Sequence, residues 1–288
     1  MGSTEDLDYP QIIFQYTNGF LVSKVMFTAC ELGVFDLLLE SGEPLSSDAI
    51  AARLGTSPTG MERLLDACVG LKLLAVEVTR EGAYYRNTEI SNLYLTKSSL
   101  KSQCHIMMYY SNTVYLCWHY LTDAVREGRN QYERAFGISS KDPFGAMYRS
   151  EEEMLRFMAG QNSIWRICGR DVLAAFDLSP FRQIYDLGGG GGALAQECVS
   201  VYPSSTVTIY DLPKVVQAAK EKNGLFLLRS VGSLSTKEIF LKIQFQKLIS
   251  IFYPRYCMTG MMTNASTCWQ KSTRLANLVV ECCWLNHF

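Results

Sequence analysis

Five consecutive glycines, Gly188 to Gly192, constrain this chain more than any other feature. A helix or strand interior loses stability at every glycine, so such a run belongs in a tight loop. Gln183-Ile184-Tyr185-Asp186-Leu187 precedes it as a short apolar run with the length of a strand, and Ala193 to Val201 follows with helical spacing. The order is strand, glycine loop, helix. Glycines there let the chain turn sharply and let a ligand approach the backbone, while the amides opening the helix face whatever is bound.

A second strand, Thr206-Val207-Thr208-Ile209-Tyr210, ends in Asp211, and Leu212-Pro213-Lys214-Val215-Val216 opens another helix with proline near its first position. A carboxylate at that strand end is placed to accept hydrogen bonds from the two ribose hydroxyls of an adenosine cofactor. Two cofactor classes use the arrangement. Gly188-x-Gly190-x-x-Ala193 satisfies the loose dinucleotide pattern. S-adenosylmethionine uses more of what is present, because Asp186 then contacts the amino acid end of the cofactor, directly or through water.

Upstream, apolar residues recur at helical spacing from about Tyr9 to Leu39, with Gly19 and Gly33 as breaks. A capped short helix is expected over Ala49 to Leu54. Ser57 and Pro58 then start a helix over Thr59 to Leu74. Ala75 to Thr79 and Ala83 to Arg86 alternate as two strands around the turn Arg80-Glu81-Gly82. Helix, turn, helix, hairpin is the order of a winged helix. Residues 1–101 hold eight Lys and Arg against thirteen Asp and Glu, so this module reads as a packing or dimerisation unit rather than a DNA reader. Residues 102–180 read as helical, with aromatic-rich stretches.

The net charge of −1 gives no basic surplus to attract nucleic acid or anionic lipid. The ten cysteines are scattered, without CxxC pairs or zinc spacing, which points to reduced thiols and no metal site. No apolar stretch reaches the length of a membrane span and no signal segment is evident. A cytoplasmic protein without an anchor is expected.

Tyr185-Asp186-Leu187 with its five glycines, together with Ile209-Tyr210-Asp211-Leu212-Pro213-Lys214-Val215-Val216, resembles the small-molecule O-methyltransferase family that includes the plant phenolic enzymes and acetylserotonin (hydroxyindole) O-methyltransferase. The likeness is expected to run closest to the acetylserotonin O-methyltransferase-like branch. Ala29 to Leu38, Asp123 to Gly128 and Tyr148 to Glu151 agree with it. The resemblance covers roughly residues 10–221. It implies a winged-helix dimerisation domain (1–101), then linking helices and the front half of a doubly wound α/β domain that binds S-adenosylmethionine (102–221). Carried over residue by residue, the cofactor contacts fall on Tyr148, Trp165, Asp186, Gly188, Gly190 and Asp211. The implied acceptor is a small aromatic hydroxyl compound, and the implied assembly is a homodimer or a heterodimer with a full-length relative.

The family's His-Asp-Trp motif is missing. The histidines are His105, His119 and His287, and none precedes Asp-Trp. No catalytic base is therefore assigned. The adenine-framing Gly-Asp-Phe-like segment and a later Pro-Gly-Gly turn are also absent. Residues 222–288 carry eight Lys and Arg against two acids and read as a divergent tail, as alternative splicing would join. Thr236 to Phe252 has the pattern of a basic amphipathic helix. A doubly wound sheet ending after two strands is expected to leave an unpaired edge that the tail must cover.

Overall fold

The computed structural model describes residues 11–138, 145, 148–175, 177–223, 228–230 and 250–252. They belong to two compact units divided between Ser111 and Asn112.

The first unit opens with α1 (Gln11–Leu32), which runs through Gly19 without the expected break. Gly33, at a left-handed φ of 81°, ends it and starts α2 (Val34–Ser41). The next two helices begin as their sequences require: Ser46 Oγ accepts from the Ala49 amide at 3.3 Å at the head of α3 (Ser47–Leu54), and Ser57 Oγ from Gly60 at 3.3 Å at the head of α4 (Pro58–Gly70). α4 stops four residues short of the expected Leu74. Lys72 turns the chain with a φ of 60°, and Leu74 becomes the first residue of a strand. Here a buried apolar side chain belonged to the sheet, although its spacing also suited the helix.

The three strands β1 (Leu45–Ser46), β2 (Leu74–Thr79) and β3 (Gly82–Asn87) form an antiparallel sheet in the order β1-β3-β2. Phe35, Ile50, Leu65 and Tyr85 are buried in this unit's core. Tyr85 donates its hydroxyl proton to Asp66 at 2.8 Å, and the Asn87 amide donates to the carbonyl of Phe35 at 2.8 Å. These bonds tie the hairpin to helices α4 and α2. After α5 (Glu89–Tyr94) and α6 (Cys104–Tyr109) the helix widens into a π turn over Tyr110–Val114.

The second unit continues with α7 (Tyr115–Trp118), α8 (Leu121–Glu127), α9 (Tyr132–Phe136) and the long α10 (Glu151–Ala174). Ser150 caps α10 by accepting from Glu153 at 3.2 Å, and Glu151, Glu152 and Glu153 place negative charge where the helix dipole favours it. Then follow β4 (Gln183–Leu187), α11 (Ala193–Val201), β5 (Thr206–Asp211), α12 (Pro213–Asn223), β6 (Leu228–Ser230) and β7 (Ser250–Phe252). All four strands are parallel, in the order β6-β5-β4-β7. Ile184, Val207 and Ile209 of the sheet, Leu194 and Cys198 of α11, and Val215 and Val216 of α12 form the core.

This order meets one expectation and corrects another. The strands β6 and β7, both from residues 222–288, pair with β5 and β4 and cover with backbone hydrogen bonds the edges that β4 and β5 alone would leave open. The end of the stretch expected as an amphipathic helix, residues 250–252, is strand β7. Positions 236–249 of that stretch lie outside the described residues.

Candidate functional site

The glycine loop closes over the carboxyl end of β4. Gly188 donates its amide to the Tyr210 carbonyl at 2.7 Å and so extends the pairing of β4 with β5, while Gly192 donates to Gly189 at 2.9 Å and closes the turn. Gly188, Gly190 and Gly192 hold φ values of 75°, 53° and 81°, which side chains rarely adopt. Gly189 is required for a different reason. A Cβ there would lie 2.6 Å from Asp186 Oδ2 and 2.8 Å from Ile209 Cγ2.

Asp211 ends β5 and reaches across to this loop. Its Oδ2 accepts from the Gly190 amide at 2.8 Å and its Oδ1 from the Leu212 amide at 2.7 Å. The carboxylate is thereby fixed at the carboxyl end of the sheet, in charge-assisted hydrogen bonds to backbone. Asp186 lies beneath Gly189, only 2% exposed. Neither of its oxygens has a hydrogen-bond partner among the described residues. Burial, and then the negative charge of Asp211, push its pKa from an ordinary 3.8 up to about 7. Cys198 on α11 also faces it, with a thiol that burial raises to about 11.

Asp186, Gly188, Gly190 and Asp211 therefore converge at one end of the sheet. Tyr148 stands beside this end through α12: the ammonium of Lys214, the second residue of that helix, lies 4.8 Å from the Tyr148 ring centroid. The ring also meets Phe157 of α10 edge-on at 5.9 Å and packs on the core of the unit. Its neighbour Arg149 pairs with Glu153 at 3.0 Å, both side chains nearly buried at 13% and 12% exposure, and stacks 3.8 Å over Phe136. That pair holds the segment carrying Tyr148 against the start of α10. Trp165 packs on the same core from farther along α10.

The residue of α10 that approaches the glycine loop is Asn162, which sequence reasoning missed. A Cβ on Gly191 would overlap the Asn162 carboxamide, with Oδ1 at 2.7 Å. The available signal was the polar break Gln161-Asn162-Ser163 within a helix whose other inward positions are apolar. Of the histidines, His119 makes a T-shaped contact with Tyr120 at 4.9 Å, His105 belongs to the first unit, and His287 lies outside the described residues.

The residues fit an adenosine cofactor with a charged amino acid end. Asp211 is held against the loop by backbone amides, the loop permits close backbone approach, and Asp186 is a buried carboxyl whose oxygens lack partners among the described residues.

Comparison with known proteins agrees across both units. The O-methyltransferase dimerisation domain family matches residues 14–97, and the O-methyltransferase domain family matches 118–231. The second match passes Glu221, where the resemblance was expected to stop, and includes β6. Acetylserotonin O-methyltransferase of Gallus gallus is 88% identical over 222 residues, covering 77% of this chain and 64% of that protein. The Bos taurus enzyme of the same name is 54% identical over 209 residues, 73% of this chain and 61% of that protein. The chain thus spans less than two thirds of these relatives. The crystal structure of human N-acetylserotonin methyltransferase in complex with SAM superposes with a TM-score of 0.75 at 50% identity, covering 81% of this chain and 68% of that one. By sequence and by structure, this chain belongs to the O-methyltransferase family, on the side of acetylserotonin O-methyltransferase.

Proposed function

We propose that the second unit binds S-adenosylmethionine against the glycine loop and Asp211, in a chain whose ancestral reaction is methyl transfer to the hydroxyl of a small, hydroxyindole-like aromatic compound. The observation that carries this reading is the Asp211 carboxylate held 2.8 Å from the Gly190 amide, at the end of the strand next to the one that leads into the loop. The cofactor would supply a methyl group on a positively charged sulfur. Asp211 would accept from the ribose hydroxyls, Asp186 from the amino acid end, and the loop amides would face the cofactor carboxylate. Tyr148 and Trp165 would flank it.

Methyl transfer by this form is weak or lost in our reading. A phenol-like hydroxyl keeps its proton until about pH 10, so transfer near neutrality calls for a general base. The chain has no His-Asp-Trp segment to supply one. We read residues beyond the family match as a divergent replacement for the rest of the domain. The six buried free cysteines of the described residues support a reducing, cytoplasmic location.

Titrating S-adenosylmethionine calorimetrically into the full chain and its Asp211→Ala variant tests the reading. Saturable binding that the substitution weakens by about an order of magnitude or more supports it. No binding by a folded wild-type chain refutes it.

A second reading, a non-catalytic partner of full-length relatives, draws on α1 of the first unit. Ile12, Ile13, Phe14, Tyr16, Phe20 and Leu21 each leave more than half of their surface exposed, on a segment that overlaps the dimerisation family match. Its winged-helix order suits that pairing role. Copurification with a full-length relative, without methyl transfer, would select this reading over the first.

A further inference from the structure

Lys214 occupies a position that the proposed cofactor chemistry does not use. It is the second residue of α12, three residues after Asp211, and its side chain is exposed. Among the described residues its ammonium forms no ion pair; its contact is the face of Tyr148, with Nζ 4.8 Å from the ring centroid. Phe157 approaches the same ring edge-on at 5.9 Å, and the ring packs on the core of the unit. Tyr148 therefore presents a cation-accepting face near the strand end that carries Asp211, and an internal cation sits on that face.

We propose that Lys214 is a competitor for the Tyr148 face that the sulfonium of S-adenosylmethionine must displace, and so sets the preference of the site between the charged cofactor and its neutral thioether product. This rests on the cofactor reading above. An aromatic ring attracts a cation through the negative potential of its face, and two unit charges cannot share that face without repulsion. In that reading Tyr148 flanks the cofactor, and the sulfonium brings a positive charge to its face. S-adenosylhomocysteine, which lacks the methyl group, carries none at sulfur. Lys214 can stay in place when the thioether binds but must swing out when the sulfonium binds. Since the lysine is exposed, that displacement is easy, and the bias it imposes is small. The site thus favours the spent cofactor relative to what Tyr148 alone would give.

The test compares dissociation constants of S-adenosylmethionine and S-adenosylhomocysteine for the full chain and for Lys214→Met and Lys214→Arg. Methionine keeps the length of the stem and removes the charge, whereas arginine keeps the charge and stacks on aromatic faces. The expected result is S-adenosylmethionine binding about two- to five-fold tighter to Lys214→Met, the range of an exposed cation–ring contact, with S-adenosylhomocysteine nearly unchanged and Lys214→Arg close to wild type. Equal shifts for both ligands, no shift in either, or weaker S-adenosylmethionine binding to Lys214→Met would each overturn the proposal while leaving the cofactor reading intact. If neither ligand binds the folded wild-type chain, the cofactor reading fails and takes this proposal with it. A separate readout needs no ligand. With the lysines carrying isotope-labelled methyl groups, the Lys214 resonance should shift in Tyr148→Leu because the ring current is lost. An unmoved resonance would overturn the contact itself.

Discussion

Replacing Asp186 by asparagine should flatten the stability of the second unit against pH. The carboxyl group is 2% exposed, without a hydrogen-bond partner among the described residues, and its pKa is raised from 3.8 to about 7. Below 3.8 it is protonated in both the folded and the unfolded chain and contributes no pH dependence. As pH rises from there towards 7, the unfolded chain releases the proton and the folded one keeps it. Each pH unit then costs the folded state about 1.4 kcal/mol, about 4 kcal/mol once pH passes the folded value. Between about pH 5 and pH 8 the wild-type chain should lose about 3 kcal/mol that the variant does not lose. Asparagine has nearly the same shape but does not titrate. Its own unpartnered amide carries a penalty of about 1–3 kcal/mol, equal at every pH, so the informative quantity is the change in the difference between the two proteins. Urea unfolding at both pH values, followed by a probe in the second unit, measures it directly. In thermal melts the same effect is a relative shift of roughly 6–12 °C. A difference between variant and wild type that stays constant from pH 5 to pH 8 would refute the claim that Asp186 is held protonated by burial.

Asp211→Ala should weaken S-adenosylmethionine binding by about ten- to a hundred-fold, the loss of hydrogen bonds to a charged acceptor, as measured by calorimetry; an unchanged affinity would move the ribose elsewhere. Gly189→Ala pushes a methyl group against Asp186 and Ile209 and should cost about 1–3 kcal/mol of unfolding free energy in urea titrations. If that variant is as stable as wild type, the loop does not press on Asp186 as described. Ile13→Asp combined with Phe20→Asp, on the exposed face of α1, should turn a dimer into a monomer by light scattering while leaving the far-ultraviolet dichroism unchanged. Persistence of the dimer would place the pairing surface outside α1.

Much of the site was legible because its signals are local. Left-handed glycines, a strand-terminal acid and a proline-initiated helix are each written within a few residues, so Gly188, Gly190, Asp211 and the start of α12 at Pro213 could be read directly. The caps at Ser46 and Ser57 are equally local. Long-range facts were less accessible. Leu74 suits the inward face of a helix by spacing but starts β2, because its pairing with Asn87 is a property of the hairpin. Asn162 approaches the glycine loop through the packing of α10 on α11, where a Cβ on Gly169 would lie 3.5 Å from Leu194 and Glu197 side-chain atoms. β6 and β7 are three-residue strands, too short for alternation to declare them. The unpartnered state of Asp186 depends on burial from several elements at once.

The pairing of β4 with β7 has a consequence for how the chain comes off the ribosome. β5 meets β6 across a short connection, Ile209 opposite Leu228, whereas Tyr185 meets Ser250 across about 65 residues, a closure with a larger entropic cost. The glycine loop and its two strands are synthesised well before the segment that shields the other edge of β4. For that interval a parallel strand edge is open beside Asp186, and any neighbouring nascent copy offers an identical β7. Exchange of that strand between copies is the misassembly this sheet order invites, and crowding of several ribosomes on one message would favour it.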